Sequence, residues 1–249
     1  MDTLRLPWTA YIPHKPTPKQ LAFLLLENPE ALYGGAAGGG KSDALLMAAL
    51  QHVDQPGYAA LLLRRSYTDL ALPGALMDRA KEWLMPTDAK WRESAKTWSF
   101  PSGATLTFGY LERPGDEYRY QSTEFQFVGF DELTQFEEAH YRYMFSRLRR
   151  RLDSSAALRM RSASNPGGIG HEWVRGRFID ADPSDGERVF IAARLPDNPY
   201  LDQDAYVQSL NQLDPVTRRQ LLQGDWTARQ PGNLFQREWF PVVEEAPVF

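Results

Sequence analysis

An α/β sandwich around a mostly parallel sheet is the fold class this chain predicts, and three observations carry it. Short apolar runs alternate with helical patterns over most of the first 195 residues. A glycine-rich turn joins the first buried run to the first long helical pattern. Two later runs end on Asp131-Glu132 and Asn165-Pro166, placing chemistry-bearing residues at the carboxyl edge of the sheet, where doubly wound folds form their crevice.

Taken in order, Pro7, Pro13, Pro16 and Pro18 make the first eighteen residues an extended arm rather than a folded unit. The pattern predicts a helix over 19–27, a strand over 31–33, a helix to residue 51, a strand over 59–63 and a helix over 72–83. Residues 97–100 and 104–108 alternate about Pro101-Ser102-Gly103, which reads as a hairpin. A third buried strand over 125–130, a helix over 137–150 and a fourth strand over 158–162 follow. After Val189-Phe190-Ile191-Ala192 the character changes, and helices over 203–213 and 215–223 precede a Pro/Gly-containing tail. The boundary falls near Leu195, dividing a core over 1–195 from a small helical lid and linker over 196–249.

Composition narrows the function. The 249 residues suffice to bury a full core. With 28 Lys and Arg against 32 Asp and Glu, the net charge of -4 argues against a uniformly basic nucleic-acid coat, although a local basic track remains compatible. There is no cysteine, so disulfides and cysteine-based zinc sites are excluded. His14, His52, His140 and His171 are scattered without metal-ligand spacing, and read as solvated or capping side chains. No apolar run reaches membrane-span length and no signal-peptide pattern opens the chain, so a soluble intracellular protein is expected.

Gly35-Ala36-Ala37-Gly38-Gly39-Gly40-Lys41-Ser42 matches G-x-x-x-x-G-K-[ST] in full. Glycine lets Gly35, Gly38, Gly39 and Gly40 fold tightly and aim N–H groups at a polyphosphate, while the helix N-terminus favours the same anion. Lys41 would reach the β- and γ-phosphates, and Ser42 would bind Mg²⁺. Phosphoryl transfer to water also needs a carboxylate that organises the metal and a group that activates the water. Asp131 is the candidate for the first and Glu132 for the second.

Three further sets of residues are candidates. Asn165 could hydrogen-bond the γ-phosphate or the attacking water, against the alternative of a plain Asn-Pro turn. Gln20 could pair bidentately with an adenine edge, against that of a solvent-facing amide. Arg142, Arg147, Arg149, Arg150, Arg151, Arg159 and Arg161 could be a solvated face, a DNA-phosphate ledge, or the source of an arginine supplied to a neighbouring site. Arg119 is another candidate for that trans contact, and sequence does not choose among Arg119, Arg147 and Arg149.

As an ordered set, these residues resemble the large terminase subunit of tailed bacteriophages, the ATP-driven motor that packs DNA into a procapsid. The resemblance covers nearly the whole chain. It rests on Pro18-Lys19-Gln20, Tyr33-Gly34-Gly35 before the Lys41-Ser42 loop, Leu63-Arg64-Arg65, Trp98-Ser99-Phe100-Pro101-Ser102-Gly103 and Tyr120-Gln121. It continues with Asp131-Glu132, Arg147-Leu148-Arg149, Ser164-Asn165-Pro166-Gly167, Asp197-Asn198-Pro199-Tyr200 and Leu222-Gln223-Gly224-Asp225-Trp226. The resemblance implies a P-loop NTPase of the ASCE type: a three-layer sandwich with a small helical lid subdomain. It further implies ATP and Mg²⁺, double-stranded DNA, a portal and procapsid, a small terminase subunit, a homo-oligomeric ring of about five subunits on the portal, no membrane, and the host cytoplasm.

Two departures from the family matter. Many members carry an arginine inside the phosphate loop, where this chain has Ala36 and Ala37, which shifts weight to arginines elsewhere. Members also continue into a ribonuclease-H-like nuclease. The expectation here is an isolated motor domain that hydrolyses ATP and does not cut DNA. Rival readings are a helicase-like or repair translocase and a non-catalytic module that holds nucleotide for DNA binding or assembly. A small-molecule kinase would need an acceptor pocket, which nothing in the sequence suggests.

Overall fold

The computed structural model describes residues 8–150, 156–182, 184 and 186–229. Among these residues eight strands form one sheet: β1 Glu30–Gly35, β2 Ala59–Arg64, β3 Lys90–Arg92, β4 Thr97–Ser99, β5 Thr105–Tyr110, β6 Phe127–Asp131, β7 Arg159–Ser164 and β8 Arg188–Ala193. Their spatial order is β3-β4-β5-β2-β6-β7-β1-β8. From β5 to β8 neighbours run parallel, while β4 and β3 extend the edge antiparallel. The helices are α1 Pro18–Leu24, α2 Lys41–Leu50, α3 Tyr67–Ala71, α4 Leu76–Leu84, α5 Glu138–Phe145, α6 His171–Val174, α7 Gln203–Leu210 and α8 Pro215–Arg218.

The expected layers are present, and side-chain alternation explains them. In β2, Ala60 and Leu62 face a core shared with Phe23 of α1, Leu45 of α2 and Trp83 of α4. Leu61 and Leu63 face a second core with Tyr141 and Met144 of α5 and Val174 of α6. A strand buried on both faces reads as a continuous apolar run, which is why the central strands were legible. Because β7 and β6 lie between β1 and β2, the sheet reverses its winding beside β1 and opens a crevice at the carboxyl ends.

Several boundaries differ from the sequence-based expectation. The helix expected over 72–83 begins only at Leu76, after Pro73-Gly74, where Gly74 takes a φ of 73°, and the separate short α3 before it was not anticipated. The helix over 137–150 stops at Phe145, because Arg147 and Arg149 exchange backbone hydrogen bonds with Phe125 instead. β3 and α6 were not anticipated. Trp91 of β3 packs 5.3 Å from Trp98, and the π-turn Arg175–Ile179 sends Arg177 to both oxygens of Glu30, at 2.8 Å each.

The described part of the arm is packed rather than loose. Thr9, Tyr11 and Ile12 are buried, and Tyr11 donates to Asp88 at 2.7 Å. His140 is likewise buried, 3.3 Å from Glu117, and not solvated. Pro7 and Arg151 lie outside the described residues. Among those described, no helix is long and apolar enough to cross a membrane.

Candidate active site

The loop between β1 and α2 is shaped by backbone demands that only glycine meets cheaply. Gly35 has a φ of 127°, and a Cβ there would lie 2.5 Å from the Ala193 carbonyl. Gly40 has a φ of 71° and caps α2 without a side-chain acceptor, so the first N–H groups of that ten-residue helix face the crevice without a cap. Ala36 and Ala37 spend their amides on the protein, donating to Ala193 at 2.9 Å and Leu221 at 2.6 Å.

Lys41 spans the loop, donating from Nζ to the Ala36 carbonyl at 2.7 Å. Burial pushes its pKa down, and the nearby Glu132 and Asp131 only partly oppose that.

Asp131 ends β6 with its side chain buried. Its Oδ1 stands 3.4 Å from the Ser42 hydroxyl, and its Oδ2 accepts from Arg64, the last residue of β2. One carboxylate facing one hydroxyl at a phosphate loop fits Mg²⁺, which keeps several waters and completes its octahedron with substrate oxygens. Among the described residues no three His, Asp or Glu side chains converge as a dedicated cage. Ser42 and Asp131 are therefore the pair that could hold the metal.

Glu132 adopts φ 57° and ψ 57°, a left-handed conformation unusual for a residue with a side chain. That turn carries its carboxylate onto the wall of the same cavity as Lys41 and Ser42. Desolvation and the neighbouring Asp131 raise its pKa, against Lys41, Arg64 and the Asn165 backbone N–H, which lower it. A carboxylate tuned upward is suited to taking a proton near neutral pH.

β7 lies between β6 and β1, in register so that Ser164 pairs with Gly34 and Ala163 with Asp131. Asn165 therefore emerges between the phosphate loop and the acidic pair. It lines the cavity, and its buried Oδ1 has no hydrogen-bond partner. The Ser164 hydroxyl receives the Thr134 N–H at 3.1 Å, and the Thr134 hydroxyl donates to the Asn165 carbonyl, also at 3.1 Å. The tip of β7 is thus tied to the 3₁₀ turn Leu133–Gln135 that follows Glu132.

Gln20 is not a solvent-facing amide. It sits at N3 of α1, where Oε1 receives the Thr17 N–H at 2.9 Å and Nε2 donates to the Gly40 carbonyl at 2.8 Å. The side chain is buried, and each end of the amide makes one bond to the protein, which leaves one N–H and one lone pair. It braces the loop.

None of the three candidate arginines enters the chain's own crevice. Arg147 and Arg149 flank Phe125, six residues before Asp131 and so about 20 Å away at the opposite edge of the sheet. Arg119 lies at the carboxyl end, packed over Tyr110 at 4.4 Å and held by Asp116 at 2.7 Å, two strands out from β6. Arg159 and Arg161 are strand residues rather than a ledge. Arg161 is buried and donates to the carbonyls of Leu26 and Asn28 at 2.8 and 2.9 Å.

The segment after β8 closes over the loop. Asn198 donates to the Gly38 carbonyl at 2.7 Å, and Leu201 and Tyr206 line the cavity, whose volume is about 700 Å³. The π-turn Arg219–Gln223 supplies the Leu221 carbonyl to Ala37. Arg64 and Asn198 stand inside motifs that the resemblance singles out, but their contacts could not be read from the chain.

Residues 32–242 match the family described as terminase large subunit, T4likevirus-type, N-terminal. Similar solved structures include the large terminase of a thermophilic bacteriophage, with a TM-score of 0.69 and 13% identity over 86% of this chain and 54% of that one. The same protein in complex with ATP-gamma-S gives 0.68 and 14%, over 85% and 53%. The ATPase domain of the Thermus phage P74-26 large terminase gives 0.58 and 14%, over 87% and 96%. This chain therefore spans about half the length of the first of these proteins. No curated protein matches.

Proposed function

Because the chain belongs to the terminase large-subunit family of the T4likevirus type, we propose that it is an ATP-hydrolysing motor that drives double-stranded viral DNA into a procapsid. The observation that carries the reading is the convergence of Lys41, Ser42, Glu132 and Asn165 on one cavity of about 700 Å³. That ATP-gamma-S and ADP are bound by the thermophilic phage's large terminase supports the choice of nucleotide.

In the proposed mechanism the N–H groups of Gly38 to Ser42 receive the phosphates, and Lys41 exchanges the Ala36 carbonyl for β- and γ-oxygens. Ser42 and, through the ion's water shell, Asp131 would hold Mg²⁺, which would supply screening of the phosphate charge. Glu132 takes the proton of the attacking water. Asn165, with its unpartnered Oδ1, orients that water or senses the γ-phosphate. Loss of the γ-phosphate then releases the β7 tip and, through Asn198 and Leu221, lets the lid turn.

We divide the chain into a core over 1–195 and a lid and linker over 196–249. An arginine from a neighbouring subunit completes the site, and Arg119 is favoured because it sits at the carboxyl edge while Arg147 and Arg149 sit at the other. The proposal extends to a ring of about five subunits on the portal, with a small terminase subunit, in the host cytoplasm. Steady-state phosphate release tests it. The parent should turn over ATP and Lys41→Ala should not, with stimulation by procapsids and DNA. Turnover equal in both, or unwinding of a forked duplex without stimulation by procapsids, would remove the packaging assignment.

A further inference from the structure

His171, the first residue of α6, is buried, and both of its ring nitrogens are engaged. Nδ1 accepts the Gly167 N–H at 2.9 Å, and Nε2 lies 3.1 Å from the Trp226 carbonyl. An N–H only donates and a carbonyl only accepts, so this bonding requires a neutral ring with its hydrogen on Nε2. The imidazole also stacks on the Trp226 indole, with centroids 5.5 Å apart and planes 24° apart. One buried side chain thus joins two segments that are distant along the chain.

Those segments are the tip of β7 and the linker that follows the lid. Gly167 lies just beyond Asn165-Pro166, with a φ of 104°, and a Cβ there would stand 3.0 Å from Oε1 of Gln220 on the π-turn. Gln220 in turn donates to the Ala228 carbonyl at 2.8 Å. Beside His171, Glu172 accepts from Arg229 at 2.8 Å, but both side chains are exposed and such a pair contributes little. Trp226 is buried against Phe190, 6.1 Å away, yet its indole Nε1 has no hydrogen-bond partner. Packing and His171 therefore hold the indole, and no bond of its own does.

We propose that His171 is a positioning residue for ATP hydrolysis: through Gly167 it sets how Asn165 enters the crevice, and through Trp226 it makes the linker follow the β7 tip. The inference rests on the reading of the crevice as an ATP site in which Asn165 meets the γ-phosphate or the water. Hydrogen bonds are directional, so a Gly167 displaced on loss of the γ-phosphate turns the imidazole, and the stacked indole with it. This route is separate from the lid contacts of Asn198 and Leu221. It runs on the face of the sheet that packs α6.

The two bonds can be separated, because an Asn amide reproduces Nδ1 without reaching Trp226, and a Gln amide reproduces Nε2 without meeting Gly167. Steady-state ATPase kinetics and fluorine NMR of fluorotryptophan-labelled protein test the proposal on the parent, His171→Ala, His171→Asn and His171→Gln, with the Trp226 resonance assigned by Trp226→Phe. In the parent that resonance should move between the ADP and ATP-gamma-S complexes. His171→Ala should lose the movement and about tenfold in kcat, while its ADP affinity stays within about twofold of the parent. Both amide variants should lose the movement, but His171→Asn should restore kcat and His171→Gln should not. A parent resonance that stays in place, or parent kcat and movement in all three variants, would overturn the proposal. Equal kcat losses in the two amide variants, or ADP affinity falling in step with kcat, would reduce His171 to a packing residue. If the parent binds neither nucleotide, the reading of the crevice fails, and the inference with it.

Discussion

Arg64, the last residue of β2, donates to Oδ2 of Asp131, the last residue of the adjacent β6, while Oδ1 of the same carboxylate faces Ser42. The carboxylate proposed to organise the metal is thus already neutralised by an arginine. Burial would lower the Arg64 pKa, but Asp131 and Glu132 outweigh it and raise it, so the guanidinium stays charged. Removing Arg64 leaves a buried carboxylate without its partner. Arg64→Met should lose about 3 kcal/mol of stability in urea titrations with chelator present. It should also reach half-maximal ADP binding at lower Mg²⁺. An unchanged Mg²⁺ requirement would mean that arginine and metal do not compete for Asp131.

Glu132 links activity to stability through one raised pKa. A carboxyl whose folded pKa lies above its unfolded value binds its proton more tightly when folded. The stability it confers is full below about pH 4.3 and is lost as pH rises through the folded value. Glu132→Gln should therefore melt above the parent at pH 8 without nucleotide, and with it at pH 4. Turnover should fall about 10²- to 10⁴-fold, and the parent's rising limb in kcat against pH should lie above the usual carboxylate range. Melting points that differ equally at both pH values would break this link.

Asn165 holds a buried oxygen that bonds to nothing, a cost without a structural return. Asn165→Ala should keep its urea midpoint within about 0.5 kcal/mol of the parent and bind ADP as before. Its kcat for ATP should drop at least tenfold, by about 1.4 kcal/mol or more. A destabilised variant with normal kcat would make Asn165 a turn residue.

Gln20 joins α1 to the loop through a reciprocal cap and the Gly40 carbonyl. Gln20→Ala should cost about 1 kcal/mol in urea unfolding and weaken ADP and tripolyphosphate in parallel, because the loop itself loosens. Unaltered stability would show that the brace contributes little.

Arg119 can be tested by complementation. Arg119→Ala and Lys41→Ala should each be inactive in ATP hydrolysis, yet mixing them should recover activity that rises more than linearly with total protein. In a mixed pair, one subunit supplies the intact loop and the other the intact arginine. A mixture as inactive as its components would exclude the trans contact, and Arg147 and Arg149 would be examined the same way.

Much of this architecture was legible along the chain. Strands buried on both faces leave continuous apolar runs, so β1, β2 and β6 announced themselves, and the hairpin of β4 and β5 showed its turn. Helix ends were harder, because backbone groups found partners elsewhere. Arg147 and Arg149 bond to Phe125, and that ends α5. The three-residue β3 carries too short a pattern to be seen.

By itself, the sequence determined the phosphate loop, the strand that ends in Asp131-Glu132 and the alternation that makes a parallel sheet, because each is a local pattern of backbone freedom or side-chain period. Only the tertiary structure decided that β7 lies between the loop and the acids, that Gln20 serves the loop, and that Arg64 neutralises Asp131. Gln20 and Gly40 stand 20 positions apart, and Arg64 and Asp131 stand 67 apart. Strand order and hydrogen-bond geometry fix such pairings, and a linear pattern of residues does not encode either directly.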